Sequence, residues 1–175
     1  MDVQKRMTTA WERTATLLRQ RPATAVGTST TTVRLTDGFR ATVEDGHWRL
    51  SADQPENFGG EDSGPDPGCY GRTALGLCAA QGYALALARH GLTHRGIEVR
   101  VEGDYDVRGF FDLAADVPMG YVAMRCLVTI VTDAPEAAIL AALDEADRHS
   151  PWRHNLTTAI PVTRHQTLQR SALPA

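Results

Sequence analysis

The stretch from Gly64 to Leu92, GPDPGCYGRTALGLCAAQGYALALARHGL, constrains this chain more than any other. A Pro-Asp-Pro entrance leads into roughly six helical turns of small and apolar residues, with Cys78 near the middle. Between Asp66 and His90 the only charged side chains are Arg72 and Arg89. A helix that is apolar all round needs cover all round, so the rest of the fold is expected to wrap it. The start is well marked. Asp66 suits the N-cap, and Pro67 suits the first helical position, where a missing N–H costs nothing.

A chain of 175 residues is expected to form one domain with a sizeable core. Charged residues make up 22% and the formal charge is −3, which gives no basic surface to hold nucleic acid. No apolar run approaches the ~20 residues that span a bilayer. The opening MDVQKRMTTAWERTATLL is broken by charge throughout and does not read as a signal peptide, so a cytoplasmic location is expected. Asn155-Leu156-Thr157 is then an idle sequon. Three cysteines, an odd number, point to thiols rather than a disulfide framework.

Taken in order, residues 2–20 carry Met7, Trp11, Ala15 and Leu18 at helical spacing, with Val3 at the start and charges elsewhere. This predicts an amphipathic helix that ends at Pro22 and packs on the body or a partner subunit. Asp37-Gly38 and Asp45-Gly46 are hairpin signals between alternating segments, and they predict a three-stranded antiparallel meander. Residues 53–68 read as a loop, with no domain boundary, because the apolar helix needs the sheet as cover. Ile97–Val101 alternates as a half-exposed strand, Tyr105–Leu113 reads as a short strand or extended segment, and Tyr121–Thr132 as the longest strand. Asp133 and Glu136 form a capping-box pattern before a helix over 134–148. His149-Ser150-Pro151-Trp152 breaks that helix, and Thr157–Thr163 reads as a last, edge strand containing Pro161. Strands in runs, separated by two long helices, give an α+β class.

The cysteines differ in setting. Cys69 falls in the first turn of the long helix, where free N–H groups and the dipole attract negative charge. Cys78 lies nine residues further on, beyond the dipole's reach. That spacing turns the two to opposite faces and separates them by roughly 13 Å of rise, too far for a disulfide. From spacing alone Cys78 reads as a small core residue, and Cys126, on the apolar side of its strand, does too. His90 and His94 lack a third ligand and read as solvated loop residues, so no metal site is expected. His149 and His154 flank the Ser150-Pro151-Trp152 turn, where either is a candidate base for a nearby thiol.

The run Gly64-Pro65-Asp66-Pro67, followed by Ala74-Leu75-Gly76-Leu77-Cys78, resembles the OsmC/Ohr family of osmotically inducible and organic-hydroperoxide-resistance proteins. The meander, the Gly59-Gly60 pair, the Ile97–Val101 strand, the second helix and the Ser150-Pro151 turn follow the same order over about residues 25–165. The resemblance implies antiparallel sheets wrapped around two central helices in an intertwined homodimer, here with an extra N-terminal helix. It implies a peroxidatic cysteine at Cys78 and a resolving cysteine at position 150, where this chain has serine. Gly68 stands where the family has a glutamate. The family's first-strand arginine falls near Ser29, leaving Arg34 or Arg125 to supply a guanidinium in space.

Two readings follow. In one, the chain is a cytoplasmic thiol peroxidase that reduces organic hydroperoxides through Cys78, in a one-cysteine cycle rescued by an external thiol. In the other, the fold persists without that chemistry, and the dimer binds a small apolar or acidic ligand at its interface. Cys69, His149, Ser150, Trp152, Arg34 and Arg125 are the candidate neighbours of Cys78. Neither reading calls for a cofactor, a metal, nucleic acid or a membrane. The expected organisation is an N-terminal helical extension over 1–22, an OsmC-like domain over 23–165 and a tail over 166–175.

Overall fold

The computed structural model describes residues 2–169. The last six residues of the expected tail, 170–175, lie outside the described residues. Helix α1, Val3–Gln20, is followed by a 3-10 turn at Pro22–Ala25. Strands β1 (Thr31–Asp37), β2 (Arg40–Asp45) and β3 (Trp48–Ala52) form the expected antiparallel meander. Gly38 and Gly46 supply its two turns at φ +52° and +56°, a backbone region that most side chains avoid. The register sets Val33 opposite Val43 and Val43 opposite Leu50, so the apolar residues share one face.

The long helix α2 covers Pro67–Arg89, with Asp66 as N-cap and Pro67 in the first turn, as the sequence predicts. The Asp66 carboxylate accepts the Cys69 N–H at 2.5 Å. Strand β4 (Gly96–Tyr105) pairs antiparallel with β5 (Tyr121–Val131) in a separate two-stranded sheet. Between them lies the short helix α3, Val107–Phe110. The expectation of an extended Tyr105–Leu113 fails there, because Asp106 caps the Arg108 N–H and turns the chain into a helix at once. Helix α4 spans Glu136–Arg148. Its expected Asp133–Glu136 box does not form. Asp133 is spent on Arg95 at 2.9 Å, and Pro135 occupies the N-cap.

After α4, His149 and Ser150 break the helix as predicted, but Pro151 starts another, α5 (Pro151–Thr157). Proline at a first helical position is favourable, and Ser150 caps it. The expected strand over Thr157–Thr163 is therefore absent. Thr157 closes α5, and residues 158–169 form no regular element and are exposed.

The core sits at the C-terminal end of α2. Ala86, Leu87, Ile139 and Ala142 are buried together, with Ile97, Ile130 and Leu143 packed around them. Helix α2 packs against α1, β4, α4 and α5. Gly76 permits the approach to β4, since a Cβ there would lie 3.2 Å from a Val101 methyl. Within the single chain the meander does not cover α2: Val33, Leu35, Trp48 and Leu50 on its apolar face are all exposed. It joins the body through the loop after β3, which is built on Asp53. The Asp53 carboxylate, 2% exposed, accepts from the Ser63 hydroxyl at 2.7 Å and from the N–H groups of Gln54, Glu61 and Ser63. Gly60 fits the same loop because a Cβ would meet the Gln54 carbonyl oxygen.

Candidate active site around Cys78

Cys78 lies on the side of α2 that faces the junction of α4 and α5. Its Sγ is 3.4 Å from the Ser150 Oγ. Ser150 reaches it for a local reason: the following proline disfavours the helical region, so Ser150 is extended, at φ −82° and ψ 112°. In that conformation its side chain turns back to cap α5 and accepts the Arg153 N–H at 3.4 Å. Ser150 is buried, at 9% exposure. Residues 72 positions apart in sequence thus meet in one contact.

The other candidates lie elsewhere. Arg34 is paired with Glu44 on the meander, and Arg125 with Glu102 and Asp104 on the outer side of the β4–β5 sheet. Those carboxylates hold the Arg125 pKa above its ordinary value, Asp104 most strongly. His149, Trp152 and His154 are exposed and make no polar side-chain contact with Cys78. Cys69 is half-buried in the first turn of α2, with its Sγ 3.9 Å from the Thr73 Oγ1. Among the described residues no group of three or more His, Cys, Asp or Glu is placed to hold a metal ion. No described helix is long and apolar enough to cross a membrane.

Two arrangements were not foreseen. The first runs beside the Cys78–Ser150 contact. Tyr83, 3% exposed, donates its hydroxyl to Asp147 at 2.8 Å, and Asp147 in turn faces the Arg153 guanidinium at 3.5 Å. Burial pushes the Tyr83 pKa up, and the bond to Asp147 adds to that. These residues line an open cavity of about 800 Å³ that also takes in Leu75, Leu156 and Cys126. Cys126 is accordingly half-buried at a cavity wall rather than enclosed in the core, because the face of β5 that carries it opens on that cavity. Burial still raises its thiol pKa, with the Arg153 charge opposing.

The second arrangement fills the place of the missing glutamate. Arg72 donates to the Tyr121 hydroxyl at 2.5 Å, and a Cβ at Gly68 would lie 3.2 Å from both groups. The bond to Tyr121 raises the Arg72 pKa. The signal for this pair was available, since Arg72 is one of only two charges inside an apolar helix. Its partner, on β5, was not.

The fold has clear counterparts. A solved OsmC-like protein from Mycoplasma pneumoniae superposes with a TM-score of 0.65 at 16% identity, over 75% of this chain and 88% of that one. The organic hydroperoxide resistance protein OsmC of Legionella pneumophila gives 0.56 at 13% identity, over 75% and 90%. An organic hydroperoxide resistance protein from Elizabethkingia anophelis gives 0.52 at 16%, over 74% and 87%. No curated protein matches the chain in sequence. The family model described as OsmC-like protein matches residues 60–164, which run from Gly60 in the loop through α2, the β4–β5 sheet, α4 and α5. On that match and this fold, the chain belongs to the OsmC-like protein family.

Proposed function

We propose that the chain is a cytoplasmic, homodimeric thiol peroxidase in which Cys78 reduces organic hydroperoxides. The contact of Cys78 with Ser150 carries this reading. It joins the two positions at which the resemblance implies a peroxidatic and a resolving cysteine. The Cys78 thiolate attacks one oxygen of the hydroperoxide, and the O–O bond breaks. The sulfur is oxidised to sulfenic acid, and the alkoxide leaves and takes up a proton to become the alcohol. Ser150 has no sulfur to close a disulfide, so an external thiol restores Cys78. Two solved neighbours carry organic hydroperoxide resistance in their names, which supports the same chemistry here.

A second copy of the chain is the proposed cover for the surfaces left bare. Leu35 is 70% exposed and Trp48 64% on the meander, and Leu77 is 54% exposed on α2 itself. An apolar face of that extent is a site for association.

One observation favours the alternative, a binding protein without peroxidase chemistry. Arg34 and Arg125 are spent on carboxylates, while the cavity of about 800 Å³ beside α2 stands open. One experiment separates the readings: treat the protein with cumene hydroperoxide, trap sulfenic acid with dimedone, and map the adduct. Adduct at Cys78, absent in Cys78→Ser, is the expected result. Adduct confined to Cys69 or Cys126, or none, refutes the peroxidase and leaves the binding reading. Light scattering tests the assembly, with a dimer mass expected.

A further inference from the structure

We propose that Ser150 is a positioning residue for Cys78: its hydroxyl holds the reacting thiolate by a hydrogen bond, and its lack of sulfur leaves reduction to external thiols. The proposal rests on the reading of Cys78 as the peroxide-reactive thiol. A serine hydroxyl has one proton and two lone pairs. The Ser150 oxygen spends one lone pair on the Arg153 N–H at 3.4 Å. Once Cys78 is ionised its sulfur can only accept, so the Ser150 proton points along the 3.4 Å line to Sγ.

The hydroxyl is fixed before reaction. Ser150 is buried, its backbone is held by Pro151, and its oxygen is held by the cap of α5. Among the described residues this is the one polar side-chain contact of Cys78, because the guanidinium of Arg153 is turned to Asp147 instead. The serine therefore keeps one part of a two-cysteine site, the polar neighbour of the sulfur, and gives up the other, the attacking thiol.

The cycle balances with two equivalents of a monothiol R′SH. Cys78 and the hydroperoxide give Cys78 sulfenic acid and alcohol. A first R′SH attacks the sulfenic sulfur, forming an S–S bond and releasing water. A second R′SH attacks the R′ sulfur of that mixed disulfide, giving R′SSR′ and returning Cys78 as the thiol. The net reaction is ROOH with two R′SH to ROH, water and R′SSR′.

The test compares wild type with Ser150→Ala, Ser150→Thr and Ser150→Cys in the full chain. Iodoacetamide alkylation is followed by peptide mapping between pH 6 and pH 10, so that Cys69 and Cys126 are read separately. Loss of one charge-assisted hydrogen bond predicts that Ser150→Ala slows alkylation of Cys78 at pH 7 by about tenfold. The deficit is expected to close toward pH 10, and Ser150→Thr to recover most of the rate. With one equivalent of cumene hydroperoxide, Ser150→Cys is expected to close a disulfide between Cys78 and the introduced thiol. In wild type the same treatment followed by 2-mercaptoethanol gives the mixed disulfide at Cys78.

Equal alkylation of wild type and Ser150→Ala, or a Thr variant as slow as Ala, overturns the hydroxyl's role. Failure of Ser150→Cys to form the disulfide where wild type does form sulfenic acid at Cys78 overturns the geometry, even where the alanine variant does not fold. A full alkylation effect with no sulfenic acid in wild type refutes the peroxidase reading alone and leaves the Ser150–Cys78 bond standing.

Discussion

From Tyr83 to Ala88, α2 is buried at four of six positions; from Pro67 to Cys78, only Leu75 is buried. The two ends are built from the same small and apolar residues, so composition does not separate them. What separates them is which elements of the same chain arrive. At the C-terminal end α4, β4 and β5 close over Leu87, and α1 lies alongside. At the N-terminal end the meander touches α2 through the Tyr70 hydroxyl, which donates to the Ser51 carbonyl, and leaves most of its apolar face outward. One end of the helix makes the fold stable within a single chain. The other leaves Cys69 and Cys78 half-buried.

The strongest way to test that division is to hollow out the closed end. Leu87 is 0% exposed and touches the whole core cluster. Leu87→Ala removes its burial and leaves a cavity, at a cost of about 2–5 kcal/mol. Chemical denaturation measures this as a lower midpoint, and dimedone labelling of Cys78 in the folded fraction after hydroperoxide treatment is expected to match wild type. Loss of Cys78 reactivity in fully folded Leu87→Ala would show that the two ends are not independent.

Next in size is a charge on the open face. Leu35→Asp places a carboxylate on the meander where Leu35 is 70% exposed. Within one chain a surface change of this kind costs at most about 0.5 kcal/mol. Across an interface, a centrally placed substitution costs 2 kcal/mol or more, roughly thirtyfold in dissociation constant. The expected outcome is a monomer mass by light scattering with an almost unchanged far-ultraviolet spectrum. A variant that stays dimeric places the interface elsewhere.

The loop that feeds the open end offers a subtler handle, through pH. The Ser63 hydroxyl bond, with three N–H donors, outweighs the effect of burial and holds the Asp53 pKa at about 2. A carboxyl ionises near 3.9 in an unfolded chain. Its folded pKa is thus depressed, so the stability it contributes is present above about pH 4 and lost as pH falls through about 2. Wild type is expected to lose melting temperature across that window, and Asp53→Asn to lose less there while starting lower at pH 7. Parallel curves for the two proteins would assign the acid sensitivity to another carboxylate.

How much of this was legible depended on how far apart the partners lie in sequence. The cap of α2, the two Asp-Gly turns and the period-two strands are local, and they stand where the pattern put them. The short helices α3 and α5 were missed because a single Asp or Ser before a few residues is a weak signal against a run of β-branched or apolar neighbours. The Asp133–Glu136 box was local too, but Arg95, 38 residues away, claimed the aspartate. At the site, Cys78 and Ser150 were each picked out by resemblance, and only the fold brings them to 3.4 Å. In sequence Arg34 and Arg125 stand out by charge alone, and in the fold carboxylates on neighbouring strands hold them. Tyr83, Asp147 and Arg153 belong to three different helices and carry no joint mark in sequence.

The smallest effect expected is at the join between the closed end and α1, the helix that lies outside the matched residues 60–164. The Arg89 guanidinium lies 4.1 Å from the centre of the Trp11 ring and also bonds Glu145 at 2.6 Å, while Gln4 donates to the Leu92 carbonyl. A cation over an indole at a partly exposed site contributes about 0.5–1 kcal/mol. For a chain of this size that is roughly 1–4 °C in melting temperature. Trp11→Ala is therefore expected to melt a few degrees lower, and Trp11→Phe to recover part of the loss, as a weaker ring under the same charge. Dimedone labelling of Cys78 should stay within twofold of wild type in both, because Trp11 meets α2 at Arg89, roughly 16 Å of helical rise from Cys78. A larger change in labelling would couple α1 to the open end and make the extension part of the site's control.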